Sequence, residues 1–315
     1  MSIHLSEPVV GCSYKEIPNL NRSPEERCAH VAIAQGKKLF VYGGLGENNE
    51  EYRHHIWVYE SEHNSWIQYN TTGDIPEFVC GSRATLIKNQ IFLFGGYNKG
   101  KYSNDVYVLN LDTHQWKFIE TTGEKPSQRR SHVQWRTSND IVVFGGAAGG
   151  GRYFNDTFRL DIDTMMWTQP STTGTPPTRR SASGYSQRGY EEGYLFGGWY
   201  SGNMFNDLHM FDLTTNTWRE IIPRGPLPTV RFGATMNVVH QDQLFVCGGV
   251  GSGGVVLSDC WMFDVERNEW KELKVNNFVA RSHHTSCNIG EEVYIFGGWD
   301  ANRKTLGTLG RFSFF

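Results

Sequence analysis

A pair of adjacent glycines recurs six times along the chain at nearly constant spacing. The pairs are Gly43-Gly44, Gly95-Gly96, Gly145-Gly146, Gly197-Gly198, Gly248-Gly249 and Gly297-Gly298, separated by 52, 50, 52, 51 and 49 residues. A period near 50 implies copies of one supersecondary unit that buries its apolar face only against its neighbours, so unit count decides the architecture. Length alone would divide the 315 residues into two domains of about 150 each. The repeat replaces that expectation with one array of six.

Each diglycine closes a short apolar run, such as Leu39-Phe40-Val41-Tyr42, Ile91-Phe92-Leu93-Phe94 or Val293-Tyr294-Ile295-Phe296. Runs this short, β-branched or aromatic and ended by glycine predict buried strands that terminate in a tight bend. Trp66, Trp116, Trp167, Trp218 and Trp270 follow the first five diglycines by 20 to 22 residues. Between diglycine and tryptophan lies a second slot held by Trp57, Tyr107, Phe158, His209 and Trp261, with Asp105, Asp156, Asp207, Asp259 or, in the first copy, His55 two residues earlier. In the second copy, residues 82 to 88, 90 to 94, 105 to 110 and 115 to 119 read as strands, and no helix is expected anywhere. The 43 aromatic residues and 35 glycines, the latter well above the usual share of roughly 7%, suit strands joined by tight turns.

Diglycine, a ring about 12 residues on and tryptophan at about 21 is the pattern of the kelch motif, and over nearly its whole length the chain resembles the kelch-repeat family. The resemblance implies an all-β, six-bladed β-propeller with four antiparallel strands per blade. The expected blades span approximately 24-70, 76-121, 126-171, 176-222, 228-274 and 280-315 plus 12-18, in a single propeller over 1-315. After the sixth diglycine there is room for a third strand at Arg311 to Phe315 and none for a fourth. Gly11 to Pro18 aligns with the tryptophan strands, Tyr14 taking the tryptophan position. The N-terminal strand is therefore expected to complete the C-terminal blade and close the ring without an exposed edge.

Composition narrows the partners. With 30 Lys+Arg against 33 Asp+Glu the net charge is -3, which provides no basic field for nucleic acid or an anionic membrane. No apolar run approaches the roughly 18 residues that span a bilayer, and the N-terminus lacks the regions of a signal peptide. A cytoplasmic protein is expected, with the nucleus as the alternative. Cys12, Cys28, Cys80, Cys247, Cys260 and Cys287 are scattered without metal-ligand spacing, so six reduced thiols are expected, and the sequons at Asn21, Asn70 and Asn155 should carry no glycan.

In an up-and-down blade the start of the first strand and the end of the second meet at one face. Counting three residues on from Pro24, Pro76, Pro126, Pro176 and Pro228 gives Arg27, Val79, Arg129, Arg179 and Arg231, and Arg281 fills the slot in the sixth copy. The residues after the diglycines are Leu45, Tyr97, Ala147, Trp199, Val250 and Trp299. The functional expectation is a mouth ringed by Arg27, Arg129, Arg179, Arg231 and Arg281 and by Tyr97, Trp199 and Trp299, with Arg130 and Arg180 adding charge. Such a mouth would take carboxylates or a short acidic or C-terminal peptide. The structural alternative is that these arginines brace loops through backbone carbonyls. Tyr153 and Tyr200 lie on glycine-rich loops suited to peptide capture, whereas the loop from Gly46 to Glu51 is acidic. His30, His132 and His284 read as inner-strand residues. No catalytic motif, metal set or cofactor site is found.

The expected function is thus a non-catalytic, monomeric protein-interaction module that binds a peptide or partner protein at the loop face. The stretches Asn206 to His209 through Trp218, Ile221-Ile222-Pro223 and Leu257 to Trp261 look like the kelch receptors that read C-terminal glycine degrons for cullin ubiquitin ligases. The resemblance implies a substrate adaptor for ubiquitin ligation. Two features depart from it: Trp199 and Met204 stand where those receptors clamp the peptide carboxylate with arginines, and the sequence stops at Phe315, short of the helical ligase-docking segments those receptors carry, as a free-standing adaptor or a domain of a longer protein would. The alternatives are a kelch-type metabolic specifier or metal-dependent enzyme scaffold, whose iron or copper ligand sets are not found, and an actin-associated kelch protein.

Overall fold

The computed structural model describes residues 9, 11–18, 22–48, 54–240 and 242–315. Among them are six sheets built on a four-stranded antiparallel meander, and no α-helix. From inner to outer, blade 1 runs Val31–Gln35, Lys38–Tyr42, His55–Glu60 and Ser65–Asn70, and blade 2 runs Arg83–Ile87, Gln90–Phe94, Val106–Asn110 and Gln115–Ile119. Blades 3, 4 and 5 repeat the order from Val133, Gly184 and Thr235. The chain forms a six-bladed β-propeller. The expected strands of the second blade match to within a residue at each end.

Blade 6 consists of Thr285–Ile289, Glu292–Phe296, Leu309–Phe314 and, outermost, Cys12–Ile17. The N-terminal strand pairs antiparallel with Leu309–Phe314, Cys12 opposite Phe314 and Tyr14 opposite Phe312. Phe312 holds the place that Phe263 holds opposite Trp270 in blade 5, so Tyr14 occupies the tryptophan register.

The repeat spacing follows from one contact between neighbouring blades. The fourth-strand tryptophan packs on the ring that precedes the diglycine of the blade before it. Tyr42–Trp116, Phe94–Trp167, Phe144–Trp218, Phe196–Trp270 and Phe296–Trp66 have centroids 4.5 to 5.4 Å apart. At the sixth junction Cys247 precedes the diglycine, and Tyr14 packs on Phe278 and Phe312 at 5.2 and 5.0 Å. Short exits from blades 1, 3 and 2, at Thr72–Gly73, Thr173–Gly174 and Thr122–Gly123, add parallel pairs to the outer strand of the next blade. They cover part of an edge that would otherwise present unpaired backbone.

Both glycines of each pair are needed. Gly95 and Gly96 have φ of +68 and +115, and a Cβ on Gly96 would lie 2.2 Å from the Phe78 carbonyl oxygen. The N–H of the second glycine donates to the next blade: Gly96 to Arg129, Gly146 to Arg180, Gly198 to Arg231, Gly249 to Arg281 and Gly298 to Arg27, all at 2.8 to 2.9 Å. The diglycine therefore latches each blade to the arginine slot of its neighbour.

Candidate functional site

The slot arginines do not ring the mouth. Arg27, Arg129, Arg231 and Arg281 are at most 1% exposed. Arg129 donates from Nη1 to the carbonyl of Gly145 at 2.9 Å and makes a bidentate pair with Asp156 at 2.6 and 3.0 Å, its guanidinium stacked 4.3 Å from the Phe154 ring. Arg231 repeats the arrangement with Gly248 and Asp259. Arg281 reaches Gly297 and the Thr308 hydroxyl, and Arg27 reaches Gly43 and Glu25. These four brace the loops, and their charge is consumed by fixed carbonyls and, in three of them, carboxylates.

In blade 4 the slot belongs to Arg180, which is buried against Gly197 and Asp207, and not to Arg179. Two prolines, Pro176 and Pro177, precede it, and counting from the first displaced the register by one. Arg179 is exposed, 6.0 Å from the Tyr200 ring. The aspartate two residues before the second aromatic slot is thus the partner of the slot arginine. Burial by itself would raise the Asp207 carboxyl, but hydrogen bonds from His209 and Arg180 outweigh it and hold that carboxyl well below the usual range. Blade 2, with Val79 in the slot, leaves Asp105 to the Ser103 hydroxyl at 2.8 Å and Lys125 at 3.4 Å.

The aromatic part of the expectation does assemble. Blade 4 extends its central hairpin past the diglycine, Glu192–Tyr200 against Asn203–Asp212, so Trp199 and Tyr200 stand on regular strand above the disc with Met204 opposite Trp199. Tyr153 meets Trp199 and Tyr200 edge-on at 5.4 and 5.3 Å. Trp199 continues to Phe232 at 6.1 Å, Phe232 to His283 at 5.8 Å, and His283 stacks on Trp299 at 5.6 Å. On the other flank Tyr97 and Tyr102 are 5.1 Å apart, and Arg130 lies 4.7 Å over the Tyr97 ring. All of these side chains are half-buried, so each offers a face to solvent.

Beneath the arc, two residues after each arginine slot, stand Ala29, Gly81, Ser131, Ala182, Gly233 and His283. Each donates its N–H to the carbonyl of the preceding member at 2.7 to 2.9 Å, and the His283 carbonyl accepts from Ala29, so six hydrogen bonds close into a circle. All six have left-handed φ, between 51 and 66, a strained choice for the four that are not glycine. The spacing of hydrogen-bonded backbones makes this circle roughly 10 Å across from Cα to Cα. It is the collar of an axial cavity of about 280 Å³.

His283, the one large side chain in the collar, was missed as a site residue, as were Phe232, Tyr102 and Arg83. His283 and Arg83 are exceptions to a repeat position: the collar is otherwise alanine, glycine or serine, and the place of Arg83 is otherwise Val31, Val133, Gly184, Thr235 and Thr285, whereas Tyr102 repeats the hairpin position of Tyr153. Burial first, and then the positive charges of Arg83 and Arg130, push His283 down to about 4, so it is neutral at pH 7. His30, His132 and His284 sit in the inner wall as expected, their Nε2 atoms bonded to Thr285 at 2.6 Å, Gln134 at 3.3 Å and Thr235 at 2.9 Å. Of the acidic loop from Gly46 to Glu51, residues 49 to 51 lie outside the described residues.

The fold and site together define a propeller that presents an aromatic loop face over a collared cavity. A family model for the KLHDC2/KLHL20/DRC7 kelch-repeats domain matches residues 11–138 and 133–298. The chain is 33% identical over 312 residues to bovine Kelch domain-containing protein 2, covering 87% of this chain and 76% of that one. It is 32% identical over 319 residues to human Kelch domain-containing protein 1, covering 90% and 78%, and 28% identical over 291 residues to mouse Kelch domain-containing protein 10, covering 84% and 65%. The solved structure of YjhT superposes with a TM-score of 0.74 over 91% of this chain and 95% of that one, at 16% identity, a likeness of fold alone. The chain belongs to the kelch-repeat family.

Proposed function

We propose that this propeller is a protein-interaction module that captures an extended peptide segment of its partner across the loop face. The observation that carries the reading is the arc from Tyr153 and Tyr200 through Trp199, Phe232 and His283 to Trp299, half-buried and contributed by four successive blades. Large rigid rings held in place by a scaffold bind at low entropic cost and are the side chains that dominate interface energetics. Arg130 and Arg179, at the edge of the arc, favour a ligand carrying a carboxylate, an acidic or C-terminal segment.

Similarity to the kelch receptors of C-terminal glycine degrons, together with the family match, supports the narrower reading of a substrate adaptor for ubiquitin ligation. Trp199 and Met204, in place of the carboxylate-clamping arginines, imply that this chain would grip its ligand differently. Affinity purification with wild type and with Trp199→Ala/Trp299→Ala tests the reading. Partners lost by the double variant while its melting temperature holds are the expected outcome; an unchanged partner set excludes the loop face.

A further inference from the structure

The axial cavity below the collar contains a cation that no acidic side chain among the described residues neutralises. Arg83 begins the first strand of blade 2, at a position filled by valine, glycine or threonine in the other blades. Its Nε donates to the His132 carbonyl of blade 3 at 3.0 Å and its Nη1 makes a long contact of 3.5 Å with the Ser82 carbonyl, while among the described residues it forms no ion pair. The guanidinium lies 5.5 Å from the Tyr185 ring of blade 4. No aspartate or glutamate lines the cavity.

Arg83 differs from the slot arginines in what remains unused. Those have bidentate carboxylates, a threonine or Glu25 to absorb their outer N–H groups, whereas the outer Nη2 of Arg83 has no partner among the described residues. Tyr185 lines the same cavity with a hydroxyl that donates to no described residue, and so does Ser131, in the collar above. A half-buried guanidinium with free donors, next to a free phenol and without a counter-charge, is an arrangement that stabilises an incoming anion and little else. The planar edge of the guanidinium matches two carboxylate oxygens. The charge acts across the axis: it contributes to lowering His30, His132 and His283, which belong to three other blades.

We infer that the axial cavity is a carboxylate-binding site in which Arg83 supplies the charge and Tyr185 a hydrogen bond, with access through the collar. Arg83 and Tyr185 lie outside the aromatic arc, which shares only His283 with the cavity lining, so the site stands even where the arc binds no peptide. Its ligand carries one carboxylate and is narrow enough to pass six closed backbones, which fits either a small free carboxylate or the C-terminus of an extended chain.

Calorimetric titration of the full chain with sodium acetate against a sodium chloride blank, and with a random hexapeptide pool in free-acid and amidated forms, separates the two sources. Saturable acetate binding with no preference between peptide pools assigns a free small carboxylate; preference for the free-acid pool assigns a chain end. In either case Arg83→Gln is expected to abolish binding, and Tyr185→Phe, which removes one oxygen, to weaken it at least tenfold. Absence of saturable binding by both probes in wild type, or wild-type affinity in either variant, overturns the site. Because Trp199→Ala/Trp299→Ala leaves Arg83 and Tyr185 in place, acetate binding by that variant shows the cavity working independently of the loop face.

Discussion

The arginines carry the main lesson at the residue scale. Arg129 and Arg179 look alike in the sequence, each three residues after a proline, yet one is buried in a bidentate pair and the other is exposed beside Tyr200. Arg129 is itself buried and its loss leaves the Gly145 carbonyl and the partly exposed Asp156 without their donor, so Arg129→Gln should cost about 1 to 3 kcal/mol, while Arg179→Gln should stay within about 0.5 kcal/mol. Urea unfolding of the two variants checks this, and equal losses would contradict the division. The burial of the slot arginines could have been read from the repeat itself: arginine and the aspartate 27 or 28 residues later occur together in blades 3, 4 and 5. The residues of the site are legible by the opposite test, as departures from the repeat, and Trp199 and Trp299 stand outside the repeat's own tryptophan position. His283 and Arg83 depart from repeat positions that become visible only once the collar and inner strands are aligned.

Among the elements, the N-terminal strand has the most leverage. Cys12–Ile17 supplies the outer strand of blade 6 and brings Tyr14 to Phe278 and Phe312, sealing the junction between blades 5 and 6. Deleting residues 1 to 20 should lower the melting temperature sharply, because it exposes a strand edge and opens the one junction with no tryptophan. A melt that coincides with wild type would show that the ring holds without this closure. Strand positions were legible because buried strands carry period and punctuation. The length of the blade 4 hairpin was not, since Trp199 and Tyr200 resemble loop residues until Asn203 and Met204 pair with them.

For the whole molecule, closure joins the titratable groups into one acid-sensitive unit. His283 is held at about 4, and His30, His132 and His284 lie well below their ordinary value of 6.5, burial being the first cause in each. Between 6.5 and those lowered values the unfolded chain binds protons that the folded chain does not, so stability falls as pH falls through that window. Asp207, held low by His209 and Arg180, and Asp259, held low by Arg231, both against their burial, add a loss of the same sign once pH drops below about 4. Calorimetry from pH 7 to pH 4 should show a steadily decreasing melting temperature; a flat profile would mean that the inner-wall histidines open to solvent before they titrate.

The sequence by itself determined the blade count, the strand order and the closure by residues 12 to 17, because each copy must present the same ring, bend and tryptophan for its neighbour to pack against. Period and hydrophobicity are properties of a single chain segment, and they survive in one dimension. Whether a charge faces solvent or a carboxylate was decided only by the tertiary structure. Arg129 and Asp156 are 27 residues apart, and Arg83 approaches His132 and Tyr185 of two other blades, so a reading along one strand cannot distinguish a braced guanidinium from a free one. Ring closure brought these groups together, burying the repeated arginines and leaving Arg83 without a counter-charge at the centre.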